Sequence, residues 1–441
     1  MKRLVPICLS LQLAAAVAHG AGTNSLTLEQ ARELALKHYP RITAAELTAM
    51  AAKESVIEAR AAYLPNITAN ATAVGTTEDN TRIAAGSLSN PAIFDRAAVG
   101  LVISQLITDF GRTANLTSSA KYRTKAQQAA AENTREQVVL LTDTAYFEGL
   151  RAASVLNVAK QTFATRQVLL DQVSALASNK LKSELDVNFA RVSVDEARIL
   201  RLQAESEVQA SDERLAMLTG LGQDIHFALR DVSGQTNALP GASDLVREAL
   251  AHRPELRQLE FEVESSRRFA KAEKAAGYPT LSALGAVGVI PLHDDTHFND
   301  EYAVGGVNLS IPLFAGGLYS ARAKEARYRA EAADELLKAR QEEIIRDVRI
   351  SVLTANTAAQ RIGVADHMMQ HAEQAYSLAE AKYSVGSASI LELSQAELSK
   401  TLATIEAATA RYNYQIQLAN LRYQTGEQPP IAAGDQTSKA K

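Results

Sequence analysis

The feature that most restricts how this chain can fold is an internal duplication. Ala35-Leu36-Lys37-His38-Tyr39-Pro40 recurs as Ala249-Leu250-Ala251-His252-Arg253-Pro254, and Pro65 matches Pro279 at the same offset of 214. Farther along the offset falls to 206 and holds there without a gap. Asp109-Phe110-Gly111-Arg112 aligns with Ala315-Gly316-Gly317-Leu318, Ser183-Glu184-Leu185-Asp186 with Ser389-Ile390-Leu391-Glu392, and Leu218-Thr219-Gly220 with Gln424-Thr425-Gly426. These matches define repeat 1 over 27–220 and repeat 2 over 243–426, with a linker at 221–242 and a C-terminal tail, read as flexible, at 427–441.

Both repeats share one internal order. A short helix comes first, entered in repeat 1 through a capping box from Thr27 to Gln30. A second helix is bracketed by Pro40 and Pro65, and again by Pro254 and Pro279, because proline suits a first helical turn and breaks a helix at its end. Two segments of period-two alternation follow in each copy, predicting strands at about 66–75 and 97–107, then 280–290 and 302–312. Polar loops at about 76–95 and 291–300 separate the members of each pair.

The remainder of each repeat is helical over a great length. No proline lies between Pro91 and Pro240, and 150–219 holds neither proline nor glycine. Hairpins are predicted over 112–219 and 318–425, with breaks near Ser178–Lys182 and at Gly386. The last helix carries a 4-3 pattern through Leu391, Gln395, Leu398, Leu402, Ile405, Thr409, Tyr412, Ile416, Ala419 and Tyr423, which predicts a coiled-coil seam. Arms of about 100 Å, at about 1.5 Å per residue, cannot fold back into a globule and must pack sideways.

Lys2 and Arg3 followed by an apolar stretch from Leu4 to Val17 and small residues near Ala18 and Gly20 predict a secretory signal peptide over 1–20. The only cysteine, Cys8, lies inside it, preceded by Ile7 where lipoprotein acylation needs a small residue. No apolar run beyond the signal reaches the length of a membrane helix. A net charge of −4 leaves no basic footprint for nucleic acid. Four amphipathic strands cannot close a barrel alone, and an open edge is intolerable in lipid. Either several copies pool their strands and helices, or the strands stay in a small soluble domain.

Ser310-Ile311-Pro312-Leu313-Phe314-Ala315-Gly316-Gly317, its divergent copy at 104–112, Ala381-Lys382-Tyr383-Ser384-Val385-Gly386, and the closing Leu-Thr-Gly and Gln-Thr-Gly together resemble the TolC-like outer-membrane efflux protein family. The resemblance covers essentially the whole chain after the signal. It implies a mainly α fold with membrane β: long α-helical coiled-coil hairpins form a periplasmic tunnel, and four strands per chain join a trimeric twelve-stranded outer-membrane barrel. It implies a homotrimer in outer-membrane lipid of a Gram-negative cell. Its partners would be a periplasmic adaptor and an inner-membrane pump of the RND, ABC or MFS class. The implied role is the passive exit duct of a tripartite efflux or type I secretion system. A periplasmic adaptor, or a structural coiled coil without a pore, is the alternative.

The same resemblance assigns candidate positions. Asp186, Glu392, Gln395 and Tyr383 fall at the periplasmic constriction or gate, and Lys180, Lys182, Ser384, Val385 and Gly386 at an adaptor-docking tip. Three copies of Glu392 near an axis would repel one another and attract cations. Tyr383 is expected to reach Asp186, while the family's basic gate position holds Ala388, leaving Lys180 or Lys182 to replace it. Gly111, Gly316 and Gly317 suit the bend from strand to helix. Tyr63, Tyr278, Tyr302, Phe94, Phe298 and Phe314 lie near strand ends, where an aromatic girdle would sit. His367 and His371 have the spacing of two metal ligands but no third, and Asp109-Phe110-Gly111 lacks the other kinase motifs. No catalytic set, metal site or cofactor is expected.

Overall fold

A computed structural model describes residues 25–75, 81–85, 88–93, 96–222, 225–231, 239–293 and 300–427. The segment 1–20 expected to be a signal peptide, and all but the first residue of the expected tail 427–441, lie outside them. Strand β1 (Ser25–Leu26) precedes α1 (Leu28–His38), α2 (Pro40–Ala61), β2 (Asn66–Val74), β3 (Thr81–Ala85), β4 (Leu88–Ile93) and β5 (Arg96–Thr108). The first hairpin is α3 (Arg112–Ser178) and α4 (Glu184–Thr219); after β6 (Ala228–Leu229), repeat 2 runs α5 (Ala242–His252), α6 (Pro254–Ala275), β7 (Thr280–His293) and β8 (Glu301–Ser310). The second hairpin is α7 (Leu318–Ser384) and α8 (Ile390–Thr425).

The duplication holds to the residue. The first long helices α3 and α7 have 67 residues each, and the returning helices α4 and α8 have 36 each. The paired helices α2 and α6 have 22 each, both with Pro at the first helical position. At about 1.5 Å per residue, each long helix spans about 100 Å. Both leave the sheet through a left-handed turn: Phe110 at φ +52° and Gly111 at +96° in one copy, Gly316 at +58° and Gly317 at +84° in the other. Glycine adopts that backbone without a Cβ clash, and Phe110 adopts it as a non-glycine.

Strands β2, β5, β7 and β8 form one antiparallel sheet in that order. Ile67, Ala69, Val99, Leu101, Ile103, Val287, Val307 and Leu309 share one face by register, and the larger of these are exposed. The other face carries Asn66, Thr68, Asn70, Ser104, Ser282, Asn308 and Ser310, interspersed with the exposed Val102, Leu284 and Val304. Tyr302 belongs to this more polar face, opposite Gly288, which is opposite Gly100. Its hydroxyl occupies the space that a Cβ at either glycine would need. This takes Tyr302 out of the expected girdle: its ring covers a glycine gap on the face away from the apolar surface. Phe94 and Phe298 lie outside the residues whose side chains are described. Tyr63, Tyr278 and Phe314 are exposed at the helical end of the sheet.

Two expectations change. The segment read as a polar loop at 76–95 contains the antiparallel hairpin β3–β4. The predicted seam of α8 is not the face that packs within the chain: Leu391, Leu398 and Leu402 are exposed, while Ile390, Leu393, Glu397, Thr401, Ala403, Ala407 and Ala410 are buried. Toward the middle of the helix the buried positions Ala403, Ala407 and Ala410 are small and let the hairpin's helices approach closely, whereas nearer the tip Ile390, Leu393 and Glu397 fill the same face. Higher on the helix, Tyr412 and Ile416 of the expected seam do pack, against the core around Tyr146 and Phe147.

The middle of the helical region is cross-braced. Arg32 of α1 donates through Nε and Nη2 to both carboxylate oxygens of Asp143 on α3, at 2.6 Å each. Tyr146 Oη lies 2.8 and 2.7 Å from the carbonyls of Leu26 and Arg230, which share its one hydrogen, and holds the parallel β1–β6 pair against α3. A second core joins Leu245 and Leu256 to Ile344, Val348 and Leu421.

Candidate functional site at the hairpin tips

Each hairpin turns through the same backbone motif. In the first, Leu181 N–H donates to Leu176 C=O at 2.9 Å and Lys180 N–H to Ala177 C=O at 2.9 Å; in the second, Ser387 donates to Lys382 at 2.9 Å and Gly386 to Tyr383 at 3.0 Å. These bonds close the helix end around one left-handed residue. That residue is Gly386 at φ +77° in the second tip and Lys180 at +59° in the first.

The returning helices start on serine caps. Ser183 Oγ accepts from Asp186 N–H at 3.2 Å, and Asp186 Oδ2 accepts from Ser183 N–H at 3.1 Å. Ser389 Oγ accepts from Glu392 N–H at 3.2 Å. Asp186 and Glu392 thus occupy equivalent third positions of α4 and α8. A carboxylate there offsets the positive helix end. Their side chains differ: Asp186 folds back into the capping box, whereas Glu392 Oε1 lies 3.8 Å from Lys382 Nζ on α7. Gln395 is exposed one turn farther along.

Tyr383 and Asp186 are close enough to interact electrostatically but share no hydrogen bond. The Tyr383 hydroxyl is buried without a partner among the described residues. Burial, and secondarily the Asp186 carboxylate, raises its pKa above the ordinary phenol value. The ring packs beside Val173, Val187 and Ile390, and Lys182 Nζ stands 4.2 Å from its centroid. Lys182 therefore meets Tyr383 over the ring face, a cation–π contact. Lys180 takes the left-handed position of the turn instead, and Val385 is exposed beside Gly386.

Sequence reasoning missed Arg166, Glu397 and Lys382. Arg166 is buried on α3, donates to Ser193 C=O of α4 at 2.7 Å and to Glu196 Oε2 at 3.2 Å, and lies 3.6 Å from Glu397 Oε2 of α8. Burial raises the Glu397 pKa above the ordinary carboxylate range, Arg166 and Lys400 oppose that rise, and Glu380 adds to it. The available signal was a charged residue on the Ile390, Leu393, Glu397, Thr401 face, which the competing stripe of larger leucines masked. Among the described residues no group of three or more His, Cys, Asp or Glu could hold a metal.

The chain matches the family described as outer membrane efflux protein over residues 31–221 and 245–427. It is 25% identical to the outer membrane protein TolC of Escherichia coli (strain K12) over 456 residues, covering 100% of this chain and 90% of the relative. It is 23% identical to the alkaline protease secretion protein AprF of Pseudomonas aeruginosa over 421 residues, covering 91% and 85%. Among solved structures, the outer-membrane channel OprN superposes with a TM-score of 0.80 at 19% identity, covering 90% of this chain and 89% of that one. The outer membrane protein VceC of Vibrio cholerae gives 0.77 at 19% identity, covering 90% and 96%.

Proposed function

The chain belongs to the outer membrane efflux protein family, and from that premise we propose that it works as a passive homotrimeric duct whose periplasmic tips open to admit cargo. It is an outer-membrane protein of the efflux and secretion type. The observation that carries the trimer is the open sheet: β2 and β8 are edges, and one sheet face is apolar and exposed. Lipid cannot satisfy the N–H and C=O groups of a free edge. Pooling strands from several copies satisfies them, with the apolar face toward lipid and the polar face toward a lumen.

A periplasmic adaptor and an inner-membrane pump supply the energy in this reading, as the efflux and secretion relatives suggest. The adaptor would meet the tips at Lys180, Lys182, Ser384, Val385 and Gly386, where Leu181 and Val385 expose apolar surface. Asp186 and Glu392 would form the acidic constriction, and dilation of the hairpins would carry them from the axis. The match over both repeats favours this duct over an adaptor or a poreless coiled coil.

Single-channel recording of detergent-folded protein in planar bilayers tests the reading. A small, long-lived, cation-selective conductance is expected. Folded protein that stays silent even after residues 178–188 and 383–392 are removed would sink it, because a merely sealed duct would then conduct.

A further inference from the structure

We infer that Tyr302 sets the bore of the duct near its outer mouth, and that Gly100 and Gly288 keep the bore wide by letting its ring lie flat on the wall. The inference rests on the duct reading above, in which the more polar sheet face lines the lumen. It adds the residue that limits the size of what can pass.

Tyr302 is the one Phe, Tyr or Trp in the sequences of β2, β5, β7 and β8, and it belongs to the more polar face. Register places Asn70, Gly100, Gly288 and Tyr302 in one row across the sheet. Side chains ordinarily stand roughly perpendicular to a sheet. This one lies over instead. A Cβ built at Gly288 would come 2.6 Å from its Cζ, and a Cβ at Gly100 would collide with its hydroxyl. The ring therefore crosses the neighbouring strand and ends over the second, about 10 Å away at about 4.8 Å per strand. Two consecutive positions without a Cβ leave that strip of wall clear, and the side chain is half-buried there.

The place of the row gives the recess its consequence. β8 begins at Glu301, so Tyr302 lies one residue from the end of the sheet farthest from the helices. Cargo leaving the helical tunnel meets this row last. Repeat 1 has no second copy of the device, because the counterpart of Tyr302 at the offset of 206 is Arg96. Each chain thus supplies one ring, and the copies in a duct supply their rings at one height. Flat, these rings take little of the lumen. Upright, they would point toward the axis and toward one another.

Entry of a thiol probe from outside the cell tests this. Asn308 is exposed on the same face six residues deeper, about 20 Å at about 3.4 Å per residue. Asn308→Cys is made in a Cys8→Ser background, which leaves no other cysteine. A small maleimide, or one carried on polyethylene glycol, is then added to intact cells. Gly288→Ala is expected to slow the bulky reagent several-fold and leave the small one unaffected, and adding Tyr302→Ala should restore the parent rate. The new Cβ would also lie 2.5 Å from the Val99 carbonyl oxygen. Slowing that persists without the ring would therefore belong to the strand and overturn the inference, as would no slowing at all. Tyr302→Ala alone serves if Gly288→Ala does not fold. The bulky reagent should then react at the parent rate, and a several-fold faster reaction would show that the ring already projects into the lumen. Failure of the small maleimide to reach Asn308→Cys in the parent would instead remove the duct reading beneath the inference.

Discussion

Arg166 of α3 and Glu397 of α8 are both buried and face each other with Nε 3.6 Å from Oε2. Glu397 lies seven residues into α8, so the contact sits roughly 10 Å inside the tip at about 1.5 Å per residue. Through Ser193 and Glu196 the same guanidinium also holds α4, so one side chain ties both arms of the first hairpin to the second.

Arg166→Met should therefore leave Glu397 as a buried, poorly compensated carboxylate. Its pKa is already raised by burial and would rise further without the guanidinium. A raised carboxyl pKa means that the folded state binds more protons than the unfolded one. Stability then falls as pH rises through the folded value. The variant should lose about 3 kcal/mol at pH 8 and clearly less at pH 5. Thermal melts followed by helical circular dichroism measure this, and an equal loss at both pH values would exclude the pair as a source.

Glu136 supplies a second titration. Burial pushes its carboxyl up to about 7, against the opposing Arg253 and Arg257 and with help from Glu132. Stability should therefore decline as pH rises from about 4.5 to about 7. Glu136→Gln should gain on the order of 1 kcal/mol at pH 8, after discounting for partial solvent screening, and nothing near pH 4.5. No gain at pH 8 would show that the carboxylate is adequately solvated.

Asp143→Asn removes the carboxylate's charge and one of the two acceptors for Arg32, in a pair whose side chains are 5% and 12% exposed. Removing one partner of a buried pair strands the other charge. A loss of about 3 kcal/mol is expected in urea unfolding. A loss below about 1 kcal/mol would mean that water reaches Arg32.

Lys180→Gly should stabilise the first tip by about 1 kcal/mol, because a Cβ in the left-handed region is strained. Gly386→Ala should cost a similar amount for the same reason, since open space surrounds that glycine and only its φ of +77° opposes a side chain. Hydrogen exchange of the tip amides reads both effects. Opposite signs from these would refute the strain account.

At the proposed constriction, Glu392→Gln should lower cation preference in asymmetric salt, whereas Tyr383→Phe should leave conductance unchanged because, among the described residues, nothing bonds the Tyr383 hydroxyl that could hold the tip shut. Unchanged selectivity in the first variant would move Glu392 away from the permeation path. A conductance rise in the second would mean that the tyrosine does bond a neighbour in the assembled duct.

Fold class was legible because its signals are local and repeated. Prolines mark both α2 and α6, and the absence of proline over 112–219 leaves only a long helix and its return. The site was less legible. Asp186 and Glu392 could be aligned from the duplicated Ser-x-x-acid pattern, and both occupy equivalent capping positions. Yet that pattern says nothing of which side chain closes on its own serine and which turns to Lys382. Similarly, the stripe through Leu391, Leu398 and Leu402 was visible as periodicity, but periodicity alone does not say whether a stripe faces the same chain or something outside it.

By itself the sequence determined the tandem repeat, the helix lengths, the strand alternation and the positions where proline and glycine interrupt them, because each depends on backbone preferences over a few residues. The tertiary structure alone decided that Tyr302 covers Gly100 and Gly288, that Lys182 meets Tyr383 over its ring, and that Arg166 reaches Glu397 across 231 positions. Those contacts join residues from different hairpins or strands. Such residues become neighbours only once the repeats have packed side by side, where close approach and burial select the partners.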